Sequence, residues 1–394
     1  MKPISHTLIL LPLLLGAGCG DSDAASAPET WVWDLPEGVP EPRVPEDNPM
    51  SEAKVELGRF LFFDTKLSGN QTQSCGSCHQ QELAFTDGLA RAEGSTGQEH
   101  PRSSMSVANA GYAASLTWAN PAVVRLEEQA LVPMFGEDPV ELGMAGMEDE
   151  LLRRMREDER YPEMFAKAFP DAADPISLDS ITKAIAAFER AVTSFNSRFD
   201  RWNEGDGTAL TPSEQRGMAL FFGGTTEAGV PDDLECFHCH GGFLLSQAID
   251  HEGNEFNQQA FFNNGLYNLD EDGSYPEGNE GLFDITNDPA DKGKFKPPSL
   301  RNIEKTAPYM HDGSIATLEE VLRHYERGGR LVPEGTEIEG EDVSGDGRDN
   351  PNKSSFLNGF EITDQEREDV LAFLRALTDD EFLNNPAYSD PFAE

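Results

Sequence analysis

The sequence predicts a mainly α protein of two helical modules, with long loops and little strand. Three observations carry this reading. Apolar residues recur at spacings of three and four at Ile181, Ile185, Phe188, Val192, Phe195 and Phe199, the stripe of an amphipathic helix. Capping boxes at Thr211–Glu214, Thr317–Glu320 and Thr363–Glu366 announce three more helices. One cysteine pattern, Cys-x-x-Cys-His, occurs twice, once in each half of the chain.

Composition bounds what such a protein does. A length of 394 residues suggests two to three domains, and 24 Phe within 38% hydrophobic residues suffice for sizeable cores. The 72 Asp and Glu against 30 Lys and Arg give a formal charge of -42. That balance excludes a nucleic-acid partner, whose phosphates need cationic contacts. It also disfavours docking on anionic lipid. Beyond the N-terminus there is no apolar run long enough to span a bilayer.

Taken in order, residues 1–18 read as an export signal: Lys2 supplies the positive start, and Leu8 to Leu15 the apolar stretch. Gly16, Ala17 and Gly18 then lead to Cys19, the arrangement of a bacterial lipobox, in which the cysteine is lipidated and becomes the mature N-terminus. The alternative is an ordinary signal peptide cleaved nearby. A lipidated Cys19 would place the protein on the periplasmic side of the bacterial envelope, anchored to the outer membrane. Membrane contact is then expected only through that lipid.

Residues 19–48, crowded with Pro, Glu and Asp, read as an extended tether. A helical pattern follows from Ser51 into Leu61, Phe62 and Phe63, and the 181–199 stripe predicts one long helix. The modules are expected at 49–205 and 206–394. The acidic turn from Asp342 to Gly347 lacks the Glu that would complete a calcium loop, and reads as a solvated loop.

The chemistry rests on Cys75-Gly-Ser-Cys78-His79 and Cys236-Phe-His-Cys239-His240. Cys-x-x-Cys-His is the attachment pattern of c-type haem: two thiols one turn apart bond the two vinyl groups, and the next imidazole reaches the iron. Zinc and redox dithiols also use Cys-x-x-Cys, but neither requires the following His in both copies. Five cysteines would make a sparse disulfide framework, and Cys19 is the one left over. The expectation is two covalent c-type haems, with His79 and His240 as proximal ligands, in two cytochrome c-like domains. What stands on the opposite face of each iron separates an electron carrier from a catalyst.

Pro298-Ser-Leu-Arg-Asn302, then Thr306-Ala-Pro-Tyr-Met-His311-Asp-Gly313 and Thr317-Leu-Glu-Glu320, resemble the bacterial di-haem cytochrome c peroxidase and MauG family. The resemblance extends over nearly all of the mature length and is nearest to the MbnH-like members, through Tyr325-Glu-Arg-Gly-Gly329. It implies that the second haem's distal ligand falls fourteen residues after His311. That position is Met in the peroxidases and Tyr325 here. A phenolate is a hard anion that favours higher oxidation states, whereas a thioether favours Fe(II). Read from its helix alone, Tyr325 is by default a core residue, and Met310 is then the substitute ligand.

The resemblance also implies an open face over the first haem, lined by Trp118, Gln129 and Glu141. Glu141 would move the peroxide proton, Gln129 orient the peroxide and Trp118 relay holes between the haems. A calcium ion is implied between the domains at Thr306, Pro308 and Ser103, where the family's Asn is replaced by Ser. His311 would belong to the inter-haem network. The family's distal cavity is sized for peroxide, so oxidation would leave by electron transfer, with Trp202 as an exit.

The function implied is that of an exported di-haem oxidoreductase. It uses hydrogen peroxide to form a high-valent di-haem state and oxidises an aromatic residue, Trp foremost, of a small exported protein encoded nearby. The alternative is a peroxidase that reduces hydrogen peroxide with electrons from a small cytochrome or cupredoxin. A di-haem electron carrier is the third reading.

Overall fold

The computed structural model describes residues 31–223, 234–255, 259–269, 271–338 and 340–393. Cys19 and the export signal lie outside them. The helices are α1 (Glu52–Phe63), α2 (Cys75–Cys78), α3 (Leu126–Gln129), α4 (Leu131–Phe135), α5 (Glu148–Glu157), α6 (Tyr161–Ala168), α7 (Leu178–Ala191), α8 (Arg198–Asn203), α9 (Pro212–Phe222), α10 (Phe283–Thr286), α11 (Leu318–Glu326) and α12 (Asp364–Arg375). Strands among the described residues are two-residue antiparallel pairs: β1 (Phe262–Asn263) with β2 (Lys294–Phe295), β3 (Leu331–Val332) with β6 (Gly345–Asp346), and β4 (Glu337–Ile338) with β5 (Glu341–Asp342). The chain is mainly helical, as its patterning predicts.

The same crossing is built twice. In the first module α1 lies so close to α7 that a Cβ on Gly58 would sit 1.9 Å from the Ala184 carbonyl oxygen. In the second, α9 meets α12 at Gly217, where a Cβ would sit 1.9 Å from the carbonyl oxygen of Asp369. Only glycine permits backbones to approach this closely. Aromatic residues one turn further on seal each crossing: Phe62 and Phe63 against Phe188, and Phe221 and Phe222 against Phe373. Burying each such ring stabilises the fold by about 1.5–3 kcal/mol. In the chain, α1 and α9 each precede one Cys-x-x-Cys-His segment.

Three expectations are corrected. The 181–199 stripe is not one helix: α7 ends at Ala191 and α8 begins at Arg198. Side chains replace the helical bonds between them. Asn109 Oδ1 accepts from Ser194 N (3.0 Å), Asp379 Oδ2 accepts from Asn196 N (2.9 Å), and Ser197 caps α8. Phe195 and Phe199 stay buried, so the stripe reports burial across a break.

The Pro-rich stretch is not free over its last residues. Arg43 makes a bidentate pair with Asp250, Tyr112 donates its hydroxyl to the Pro40 carbonyl, and buried Asn48 bonds Glu127 at 2.8 Å. The acidic 342–347 turn is likewise no open loop, because β5 and β6 take up part of it.

The two cores also interleave along the chain. Ala119 and Phe199 pack in the second core, while Phe382 packs in the first. A bidentate pair, Arg301 to Asp200 at 2.8 Å, ties the Pro298–Asn302 segment to α8 with both side chains buried.

Candidate functional site

At the first centre the capping box of Ser74 and Ser77 closes the single turn of α2, which sets Cys75 and Cys78 on one side. Gly76 faces α1, where a Cβ would lie 2.3 Å from the Phe63 ring. His79 follows, and its Nδ1 donates to the Phe85 carbonyl oxygen at 2.9 Å. That bond fixes the tautomer and leaves Nε2 for a metal. Phe85 takes a left-handed backbone (φ 62) to turn its carbonyl there.

The second centre repeats the device. His240 Nδ1 donates to the Leu245 carbonyl oxygen at 3.2 Å, and Leu245 is again left-handed (φ 53). Burial holds both imidazoles below their ordinary range, His240 down to about 4, which favours the neutral form a metal would need. None of the four described cysteines forms a disulfide.

Beside the first centre lies a cavity of about 40 Å³ lined by Cys75, Cys78, His79, Gln129, Glu141 and Glu189, among others. Paired thiols and an imidazole with Nε2 left available are the donor set that a covalent haem requires.

Glu141 is held there by its backbone. Its carbonyl accepts from Ser95 N (2.7 Å), Val140 N donates to Gln98 Oε1 (3.0 Å), and the Leu142 carbonyl accepts from Gly69 N (2.7 Å). Burial pushes its carboxyl up to about 6. Gln129 closes α3 on the same wall.

Glu189 is a residue that sequence reasoning missed. It is buried, its Oε2 has no hydrogen-bond partner among the described residues, and burial pushes it up to about 8. It stands four residues after Ile185, on the buried stripe of α7, and an acid at that register was the available signal. His100, assigned no role from sequence, lines the same space.

At the second centre, α11 brings Tyr325 within electrostatic reach of Cys239 and Cys236. Burial raises its phenol first, the two cysteines raise it further, and a hydrogen bond from the Asn264 side chain opposes them.

Trp118 Nε1 donates to the Ser103 carbonyl at 2.9 Å, and the Trp118 carbonyl accepts from Lys296 N at 2.8 Å. Lys296 Nζ reaches the Ser115 carbonyl at 2.6 Å, and burial lowers it to about 8. Ser103 N donates to the His311 carbonyl at 2.8 Å, and Ser103 Oγ bonds the Met310 carbonyl at 3.3 Å. The structure thus sets Ser103 against the segment that carries Thr306 and Pro308. His311 is buried, stacks on Phe295 at 3.7 Å and is pushed down to about 4 by burial. Trp202 is half-buried on α8.

A family model described as di-haem cytochrome c peroxidase matches residues 52–208. The chain is 35% identical to cytochrome-c peroxidase IdrP1 of Denitromonas iodatirespirans, over 94% of this chain and 93% of the relative. It is 33% identical to methylamine utilization protein MauG of Methylorubrum extorquens, over 87% of this chain and 82% of that protein. Among solved structures, a MauG-like protein associated with microbial copper homeostasis matches with a TM-score of 0.87. It is 49% identical, covering 92% of this chain and 100% of that one.

Proposed function

The chain belongs to the di-haem cytochrome c peroxidase and MauG family, and from that premise we propose that it uses hydrogen peroxide to oxidise a Trp of a partner protein. Family members are periplasmic peroxidase-type oxidoreductases with two c-type haems. The finer reading is supported by one observation: Tyr325, at the position where the resemblance puts Met in the peroxidases, lies within electrostatic reach of Cys236 and Cys239.

Cys75, Cys78 and His79 would hold one haem, and Cys236, Cys239, His240 and Tyr325 the other. When bound, the haems supply the redox chemistry that splits peroxide and stores two oxidising equivalents. The chain's own residues do the rest. Near neutral pH Glu141 is largely ionised and sits in the first cavity, fit to take a proton from peroxide and return it to the departing oxygen. Gln129 lines the same space and would donate its amide to the same guest. Each turnover consumes one peroxide and two protons, releases two waters, and draws two electrons from the partner through Trp118.

The partner is assigned to copper handling, because the MauG-like structure 49% identical to this chain is associated with copper homeostasis. Lipidation of Cys19 would hold the enzyme at the outer membrane beside it. Calcium is assigned to the carbonyls of Thr306 and Pro308 and an oxygen of Ser103. Neutral oxygens alone make a weak, exchangeable site, since carboxylates set affinity in tighter ones.

The second reading, peroxide reduction with electrons from a small cytochrome or cupredoxin, is favoured by the 35% identity to a cytochrome-c peroxidase. Tyr325→Phe separates the two. The first reading expects both haems retained, the second haem's ferric spectrum changed, and partner oxidation lost. An unchanged spectrum returns Tyr325 to the core and favours the second reading.

A further inference from the structure

Lys296 is buried, 7% exposed, and its ammonium makes one hydrogen bond, to the Ser115 carbonyl at 2.6 Å. An ammonium has three donors, so two are left without an acceptor among the described residues. The other buried cations are compensated. Arg154, Arg190, Arg301 and Arg367 pair with Glu150, Glu127, Asp200 and Glu326, and Lys54 lies within electrostatic reach of Asp47 and Glu127. No carboxylate among the described residues acts on Lys296. Lysine is almost never fully buried without a partner, because an uncompensated interior charge is costly.

Lys296 heads a segment strapped to the loop that follows His240. Ser246 Oγ donates to the Pro297 carbonyl (2.8 Å), Ser299 Oγ to the Leu244 carbonyl (2.6 Å) and Arg301 Nε to the Phe243 carbonyl (2.9 Å). Lys296 N in turn donates to the Trp118 carbonyl at 2.8 Å. The lone cation thus belongs to a segment fixed against the loop whose Leu245 carbonyl orients His240.

We propose that Lys296 is a carboxylate-binding residue, and that the carboxylate it takes is a propionate of the second haem. The proposal rests on the reading of Cys236, Cys239 and His240 as that haem's attachment residues. Haem propionates are anions, and an anion that leaves water needs a compensating partner. Lys296 supplies what such a group lacks: a buried cation on a fixed backbone, with N–H groups unspent. A cation held there also disfavours the added positive charge of Fe(III), so Lys296 raises that haem's reduction potential.

The test uses the full-length di-haem protein, with haem content counted by pyridine haemochrome. Lys296→Met keeps the length of the side chain and removes its charge. It is expected to lower the second haem's midpoint potential in a spectroelectrochemical titration, with the first haem's moving less. It should also shift the propionate-bending band in the resonance Raman spectrum. In the wild type that band should move in heavy water, because the donor protons exchange, a check that needs no variant to fold. A potential and a Raman band unchanged in Lys296→Met, or a wild-type band indifferent to deuterium, would overturn the proposal and leave the haem reading intact. A haemochrome count below two haems per wild-type chain would overturn both.

Discussion

Trp118 donates its indole N–H to the Ser103 carbonyl at 2.9 Å, and through that bond the two histidine loops are joined. On one side, Ser106, three residues on from Ser103, bonds the Ala84 carbonyl at 2.6 Å, next to the Phe85 carbonyl that orients His79. On the other, the Trp118 carbonyl accepts from Lys296 N. The adjoining Pro297 carbonyl accepts from Ser246 Oγ at 2.8 Å, next to the Leu245 carbonyl that orients His240. Trp118 is thereby built into the supports of both centres. A relay between redox groups needs this fixed placement.

Trp118→Phe keeps an aromatic ring and removes the bond to Ser103. Both haems should still attach, with peroxide consumption at the first centre near normal and oxidation of the partner slowed. Stopped-flow traces of the two haems read the coupling directly. Simultaneous changes at both haems in the variant would remove Trp118 from the path.

Glu141→Gln should slow the reaction with peroxide by about 10²–10⁴-fold, the range for losing a positioned acid–base group, with haem content unchanged. Its pH profile adds a second check. Burial raises the Glu141 carboxyl to about 6, so the form able to accept a proton is lost as pH falls through that value. The wild-type rate should fall about tenfold per pH unit below it, and the Gln variant should lack that limb.

Arg301 and Asp200 form a buried bidentate pair that joins the Pro298–Asn302 segment to α8. Arg301→Ala leaves the Asp200 carboxylate without that partner, and should cost about 3–5 kcal/mol in denaturant unfolding. Adding Asp200→Ala should recover part of the loss, because the stranded charge is gone.

Much of the fold was legible because its signals are local. The capping boxes at Thr211, Thr317 and Thr363 each begin a helix, and Ser51 caps α1. The two Cys-x-x-Cys-His motifs were legible for the same reason: their thiols and imidazole are neighbours in the chain. Non-local bonds were not legible. The break after Ala191 depends on Asn109 and Asp379, both distant in sequence, and the docking of the Pro-rich stretch depends on Asp250 and Glu127. Glu189 carries a local signal, an acid on the buried stripe of α7, though no motif marks it.

The most direct measurement of the central claim is the mass of the partner. The purified di-ferric protein is mixed with hydrogen peroxide and the small exported protein encoded beside it, and the partner is then weighed and mapped by mass spectrometry. The account predicts a mass change from added oxygen or lost hydrogen on a Trp, present in the wild type and absent in Tyr325→Phe. An unmodified partner, together with rapid peroxide turnover on a reduced small cytochrome, would contradict it.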